Sequence, residues 1–440
     1  MEKNRNYFIA IALSVMIVLA WQFLYMNPRM EAQQRADEAR LAQQQQTTEQ
    51  AGQNFTPESP GAATSTGNLP GANQAQATAT REEALAKSPR VAIETAAVSG
   101  SINLVGARFD DLKLREYHET VDDKSPIITL FSPADTRDGY FTELGYIGSD
   151  TSGTVPGSGT RWTLAGGDRL TRETPVTLSF TNDKGIVFNR TIAIDEHYMI
   201  TVNDKIDNPT QEPVSISSYG RVTRYNKPAT PSVWVIHEGF IGVLGADGSL
   251  SEHTYHNIEE EAVANTKATG GWLGITDKYW ASTIVPPQAM PFESRFTHFT
   301  DGQPRYQADY KGDALSIAPG QSTELKSLVF AGAKEVPLID QYVEQLKIPH
   351  FDLVIDWGWF YFITKPMFKL MDFFFRHVGN FGVAILLTTV VVKLLFFPLA
   401  SKQYASMANM KRMQPRMEEL KAKHGDDRMV LQQAMMALYK

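Results

Sequence analysis

VTLSFTNDKGIVFNRTIAI, the stretch from Val176 to Ile194, reads as a β-hairpin. Val176, Leu178 and Phe180 alternate with polar residues, Asn182, Asp183, Lys184 and Gly185 supply a turn, and an apolar-rich run resumes from Ile186 to Ile194. A period of two sends alternate side chains to opposite faces, one for a core and one for water. A cluster of Asn, Asp and Gly between such runs is the chemistry of a tight turn. A third run, Tyr198 to Ile206, follows directly, and similar pieces recur at Ile127 to Phe131, Val214 to Ser218, Val233 to Ile236, Trp280 to Val285, Phe292 to Phe299 and Leu325 to Phe330. No long helical pattern interrupts them before Val336, where Val336, Ile339, Tyr342, Val343 and Leu346 fall at helical spacing. Short strands without intervening helices predict a large antiparallel β-sandwich over residues 90–346, closed by a helix.

The chain around this domain is too long for one unit. Its 440 residues predict two or three, and the 42% apolar share is unevenly placed. A net charge of −7 provides no basic footprint for a phosphate backbone, so nucleic-acid recognition is not expected. The absence of cysteine excludes a disulfide scaffold, a zinc-thiolate site, a thiol nucleophile and a lipidated N-terminal cysteine.

Residues 1–28 predict a transmembrane anchor. Asn6 to Met26 carries no charge and spans roughly 31 Å as a helix, close to the hydrocarbon thickness of a bilayer. The run ends in Trp21, Phe23, Leu24 and Tyr25 instead of a small-residue cleavage site, and Lys3 and Arg5 suit the cytoplasmic flank. An uncleaved anchor with a cytoplasmic N-terminus follows, although Arg29, Arg35 and Arg40 lie on the other side. Residues 29–89, rich in Gln, Ala, Thr, Gly, Pro and Ser, predict a disordered polar linker.

The sandwich carries a few residues of chemical interest. His253 and His256 have one-turn spacing but no evident third zinc ligand, in a stretch that reads as loop. His237 and Glu238 are neighbours whose side chains point apart in a strand. Trp162, Trp234, Trp272 and Trp280 could line a sugar or peptide groove or simply pack the core. No nucleophile motif, phosphate loop or paired-carboxylate signature stands out, so neither catalysis nor a cofactor nor a metal is expected.

The C-terminal part returns to the membrane. Lys365, Lys369, Asp372 and Arg376 fall on one stripe of a helix over 359–378, with Ile363, Met367, Leu370 and Phe374 opposite. That division predicts a helix lying in the membrane surface, with a helix packed on the sandwich as the alternative; Pro366 suits a first turn or a kink. After Gly379 and Asn380, the nineteen residues Phe381 to Leu399 hold a single charge, Lys393, and predict a second span over 379–400. Lys402, Lys411, Arg412, Arg416, Lys421 and Lys423 put its far end in the cytoplasm and residues 29–378 in the periplasm. Lys393 lies inside the hydrocarbon, so it must snorkel, pair or be hydrated, and Thr389 precedes it by one turn. Residues 401–440 predict a cytoplasmic helical hairpin turning at His424 to Asp427, its seven methionines, among them Met410, Met413 and Met417, giving either an adaptable apolar surface or an ordinary seam.

This order of parts resembles the Gram-negative branch of the YidC/Oxa/Alb membrane-protein insertases, and Gly379-Asn380-Phe381-Gly382, Phe397-Pro398-Leu399, Gln403-Tyr404, Gln414-Pro415, Gly425-Asp426-Asp427 and Met435 to Lys440 carry the resemblance. It covers roughly the first three quarters of the family pattern, which continues with further spans. It implies a multi-pass protein of the bacterial inner membrane that inserts and helps fold membrane proteins, alone or with the Sec translocon, without nucleotide hydrolysis. The implied site is a hydrated groove that receives polar client tails at Lys393, where many relatives carry Arg, and at Thr389. Met410, Met413 and Met417 would meet the nascent membrane protein or the ribosome, and the lipid bilayer is the remaining partner. The rival reading is a membrane-anchored periplasmic carbohydrate-binding or carbohydrate-processing protein whose active part is the sandwich; a solute channel would need more spans.

Overall fold

The computed structural model describes residues 79–424 except 121, 229–236, 246–247, 301 and 359. The anchor expected at 1–28, nearly all of the linker, the strand at Val233 to Ile236, Trp234 and the second hairpin arm lie outside the described residues. A short helix α1 (Arg81–Ala86), opened by a Thr80–Glu83 capping box, leads into the β-domain.

Two sheets face each other. The larger has eleven strands among the described residues, with Tyr140–Gly148 between Arg108–His118 and Val214–Tyr225. Beyond Val214–Tyr225 come Arg305–Gly312, Pro291–Phe299 and Val263–Thr269; beyond Arg108–His118 come Val98–Asn103, Arg90–Glu94 and Arg169–Leu170. The last pairing is parallel, against an otherwise antiparallel scheme. The smaller sheet has nine strands, in the spatial order Leu250–Thr254, Gly239–Leu244, Gly271–Thr276, Trp280–Val285, Ser322–Ala333, Met199–Asp207, Val187–Ile194, Val176–Thr181 and Thr163–Gly166. The predicted hairpin from Val176 to Ile194 is present, with Val176 opposite Ile192 and Phe180 opposite Phe188. Along Val187–Ile194 every second residue is buried, which delivers Phe188, Ile192 and Ile194 to the core between the sheets.

Charges also go inside. Arg190 donates to both carboxylate oxygens of Asp204 at 2.8 and 2.7 Å and to the Leu144 carbonyl of the opposite sheet at 2.8 Å, while the Tyr146 hydroxyl donates to Asp204 at 2.5 Å. A buried pair survives when its remaining polar atoms are satisfied, and here both sheets share the task. On the other face of the larger sheet, the fully buried Glu143 accepts from Arg108 at 2.9 Å, Arg221 at 3.2 Å and Tyr219 at 2.7 Å. Burial alone would raise the Glu143 carboxyl; Arg221 and Arg108 instead hold it down at about 2.

Helix α2 (Tyr255–Glu260) buries Tyr255 and Ile258. Helix α3 (Val336–Leu346), at the bounds the spacing predicted, buries Leu338, Ile339 and Tyr342, and the Tyr342 hydroxyl donates to Asp195 at 2.6 Å. Lys347 then turns left-handed, φ 55°, and a 3₁₀ turn at Phe351–Val354 drives Phe351 against Trp272 and Phe330 at ring distances of 5.3 and 5.5 Å. Trp272 donates its indole N–H to the Pro349 carbonyl at 3.0 Å. The segment leaving the sandwich is therefore wedged into its core. Beyond it stand α4 (Tyr361–Val378), with Pro366 at its sixth position, and the 44-residue α5 (Phe381–His424). The residues of the predicted span and of the first predicted hairpin arm form one continuous helix: α5 runs through Pro398 and Pro415, because proline removes one hydrogen bond without ending the helix.

Candidate functional site

The only described helix long and apolar enough to cross a membrane is α5, and the site residues lie on it. Gly379 closes α4 at φ 71°, giving its N–H to the Phe375 carbonyl at 2.7 Å, and the Asn380 side chain accepts from the Val383 N–H at 3.2 Å to start α5. A left-handed closing glycine followed by an asparagine cap folds α5 back onto α4. Phe375 and Phe381 touch across that turn at 5.8 Å between rings. Ala384 and Thr388, one turn apart, are buried, while Leu386, Leu394, Leu395, Phe397 and Leu399 are each about two-thirds exposed or more.

Lys393 lies nine residues after Ala384, which at 3.6 residues per turn places it about 180° around the helix from the buried stripe. Thr389, at about 140° from Ala384, shares that open face. Both are exposed, and Lys393 has no hydrogen-bond or ion-pair partner among the described residues. The Thr389 hydroxyl folds back onto the Ile385 carbonyl at 2.8 Å, as Thr388 does onto Ala384, which satisfies both where water is scarce. Pro398 has no N–H to offer the Leu394 carbonyl, so an acceptor is freed one residue from Lys393. The Lys393 ammonium and the Thr389 hydroxyl share one open face of an apolar helix, and the Leu394 carbonyl lies about 100° round from Lys393.

The methionines are elsewhere. Met410 is exposed and Met413 half-exposed on the continuation of α5, roughly 26 Å of helix rise beyond Lys393 for Met410; the Met417 side chain lies outside the described residues. The structure does not bring them together with Lys393.

The polar stripe of α4 points to protein, which the amphipathic pattern alone left open. Lys365 Nζ lies 2.7 Å from Asp352 and 3.2 Å from Asp340, Lys369 Nζ lies 2.8 Å from Asp340, and Arg376 pairs with Asp372 at 2.8 Å. Partial burial would lower the Lys365 ammonium, but its bonds to Asp352 and Asp340 hold it above its ordinary value; the Asp340 carboxyl, which burial would raise, is held low by Lys369 and Lys365. Sequence reading missed Asp340 and Asp352, since nothing local announces a partner on another element. Ile363 and Met367 are exposed on the face opposite, and Phe362, Phe373 and Phe375 are exposed on the flanks between.

The candidate features of the sandwich dissolve into structure. Trp162 and Trp272 are 2% and 0% exposed, and Trp280 packs edge-on against Tyr117. His253 is on a strand, bonded to Ser251 at 3.0 Å, and His256 is on α2 beside Glu260, in place of the expected loop. His237 bonds the Phe240 carbonyl and Glu238 accepts from the Lys278 N–H. No group of three metal-ligating side chains occurs among the described residues.

Comparison with known proteins adds a pattern of similarity along the whole chain. Residues 90–370 match the family described as YidC periplasmic domain, and residues 373–440 match the 60Kd inner membrane protein family. Proteins named membrane protein insertase YidC are 72% identical in Rhizobium etli, 69% in Agrobacterium fabrum and 52% in Mesorhizobium japonicum, each matched over all of this chain and 73% of its own length. Among solved structures, a galactose mutarotase related enzyme from Lactobacillus acidophilus matches 55% of this chain and 97% of its own at 10% identity and a TM-score of 0.38. A putative aldose 1-epimerase from Escherichia coli matches 56% and 99% at 9% identity and 0.35.

Proposed function

This chain belongs to the YidC family of membrane protein insertases, inner-membrane proteins with a periplasmic domain, and on that premise we propose that client segments enter along the open face of α5 at Lys393 and Thr389. The observation that carries the reading is a lone ammonium on a membrane-crossing helix, facing away from the stripe that is buried. A charge in that position is tolerated when water or a counter-charge reaches it. A hydrated recess beside it lowers the desolvation cost of a short polar tail, and acidic client residues gain attraction from the ammonium. The apolar client helix then partitions into lipid, driven by the hydrophobic effect, so the transfer needs no nucleotide hydrolysis. Met410, Met413 and Met417 present soft apolar contacts to the client or to the ribosome at the cytoplasmic end, and the protein works alone or with the Sec translocon. The N-terminus is cytoplasmic, the protein crosses more than once, and α4 lies in the outer interface.

Lys393→Ala in the insertase is expected to slow insertion of a single-span client with an acidic tail several-fold. That corresponds to about 1 kcal/mol for two unit charges some 4 Å apart in water. Lys393→Arg retains the charge and should retain activity. Insertion by the Ala variant at the wild-type rate, measured by protease protection in proteoliposomes, overturns the role given to Lys393.

A further inference from the structure

We propose that Asp340 and Asp352 are positioning residues for insertion: with Lys365 and Lys369 they form a four-charge clasp by which the periplasmic sandwich sets the orientation of α4, and through it of α5. The proposal rests on the insertase activity of the family and is independent of any role for Lys393.

Both anions stand on elements fixed to the core. Asp340 projects from α3, whose Leu338, Ile339 and Tyr342 are buried, and Asp352 belongs to the 3₁₀ turn whose Phe351 and Val354 are fully buried. Both cations stand on α4, one turn apart, so they meet a surface that cannot slide. Lys365 is shared by the two carboxylates, and Asp340 is shared by the two lysines. Three of the four side chains, Lys365, Asp340 and Asp352, are only 21%, 25% and 28% exposed, so the contact is shielded from water more than a surface pair is. Further contacts surround it: the Thr364 hydroxyl donates to the Trp357 carbonyl at 2.9 Å, and the Trp357 ring sits edge-on to Phe368 at 5.7 Å and 5.8 Å from the Lys365 ammonium.

The other end of α4 is committed to α5 through the Gly379 turn and the Phe375–Phe381 contact. One end of α4 is thus held by the sandwich and the other by the membrane-crossing helix, which makes α4 a lever between them. Its remaining stripe charges, Asp372 and Arg376, satisfy each other. Each of the four charges on the stripe of α4 therefore has a protein partner, and its Lys365 and Lys369 serve attachment to the sandwich in place of attraction to lipid headgroups.

The test uses the full chain in nanodiscs, with spin labels at Glu344 on α3 and Met371 on α4, alongside client insertion in proteoliposomes. Asp340→Lys with Asp352→Lys should broaden the inter-label distance distribution and slow insertion several-fold. Adding Lys365→Asp and Lys369→Asp restores the three complementary pairs with reversed sign and should recover both. Asp340→Asn with Asp352→Asn is the milder variant should the reversals fail to fold, with unfolding of the sandwich followed by tryptophan fluorescence. An unchanged distance distribution, or a broadened one with wild-type insertion, or a folded fourfold swap that recovers neither, overturns the proposal. If the wild-type protein itself inserts no client, the insertase premise fails, whereas the distance measurement still decides whether the clasp exists.

Discussion

The sandwich and the α4–α5 pair treat the same side chains in opposite ways. In the sandwich Leu273 is completely buried and even Glu143, Arg190 and Asp309 are withdrawn from water; on α5, Leu395 is 74% exposed and Leu394 66%. A core supplied by its own sheets is complete by itself, but an apolar helix face of that extent is a liability in water and needs lipid or another helix to cover it. The stability of the sandwich is therefore a property of its contacts, and that of α5 is a property of its solvent.

The sharpest way to break that contrast is to remove one partner inside the sandwich. Glu143→Ala leaves the Arg108 and Arg221 guanidinium groups beside a hole, and is expected to destabilise the sandwich by about 3–5 kcal/mol. Urea unfolding followed by tryptophan fluorescence measures it. A loss below about 1 kcal/mol, the range of an exposed pair, would show that water reaches the site.

Next in size comes the converse change on α5. Leu386→Asp, at an exposed position, should leave the unfolding of the sandwich untouched while opposing membrane integration by up to about 2.5–3.5 kcal/mol, the value for a charge at a helix centre. Glycosylation-site or alkaline-extraction assays read the integration. A shift in sandwich unfolding would mean that the two regions share one cooperative unit.

The buried charges also explain what the sequence concealed. Ile127–Phe131, Trp280–Val285 and Val336–Leu346 stand at the bounds that apolar spacing predicted, because their contacts follow the local pattern. Arg108–His118 and Tyr140–Gly148 escaped notice: Asp110, Asp111, Lys113 and Glu143 interrupt the alternation, and the arginines that neutralise three of them, Arg81, Arg90, Arg108 and Arg221, come from other strands or from α1, remote in sequence from the acids they meet. For the same reason Val214–Tyr225 extends far past Ser218, through Arg221 and Arg224, the latter paired with Asp277. Long-range pairing turns residues that read as turn or surface into sheet interior. On the side of the candidate site, Lys393 and Thr389 stand out in the sequence because a polar residue in an apolar span is a local anomaly, whereas the ion pairs of Asp340 and Asp352 do not, their partners lying on another helix.

A smaller effect is expected from pH on the clasp that joins the two regions. Asp340 is held below its ordinary 3.8, so its contribution is present above that value and is lost as pH falls through its lowered one. Lys365 is held above its ordinary 10.5, so its contribution is present below that value and is lost as pH rises through the raised one. Between about 4 and about 10 the distance between α3 and α4 should not change, and it should loosen only outside that window. Loosening near neutrality, in the same spin-label experiment, would assign control to another group.

The smallest effect expected is a null one, and it follows from where the α4 charges are spent. A free lysine near an anionic bilayer gains about 1 kcal/mol of attraction, so a helix with two such residues should sink deeper or hold more firmly when phosphatidylglycerol is added to phosphatidylcholine. Lys365 and Lys369 already face Asp340 and Asp352, and Arg376 faces Asp372, which leaves the exposed Phe362, Ile363, Met367 and Phe373 to hold the helix at the interface. That attachment scales with buried apolar area and is indifferent to salt. A fluorophore at Phe362 should therefore report the same depth in both lipid mixtures and at low and high salt, and Asp340→Asn with Asp352→Asn, by freeing the two lysines, should make the depth depend on phosphatidylglycerol. Lipid sensitivity in the unmodified protein would place the lysines at headgroups and return α4 to the membrane side of the comparison.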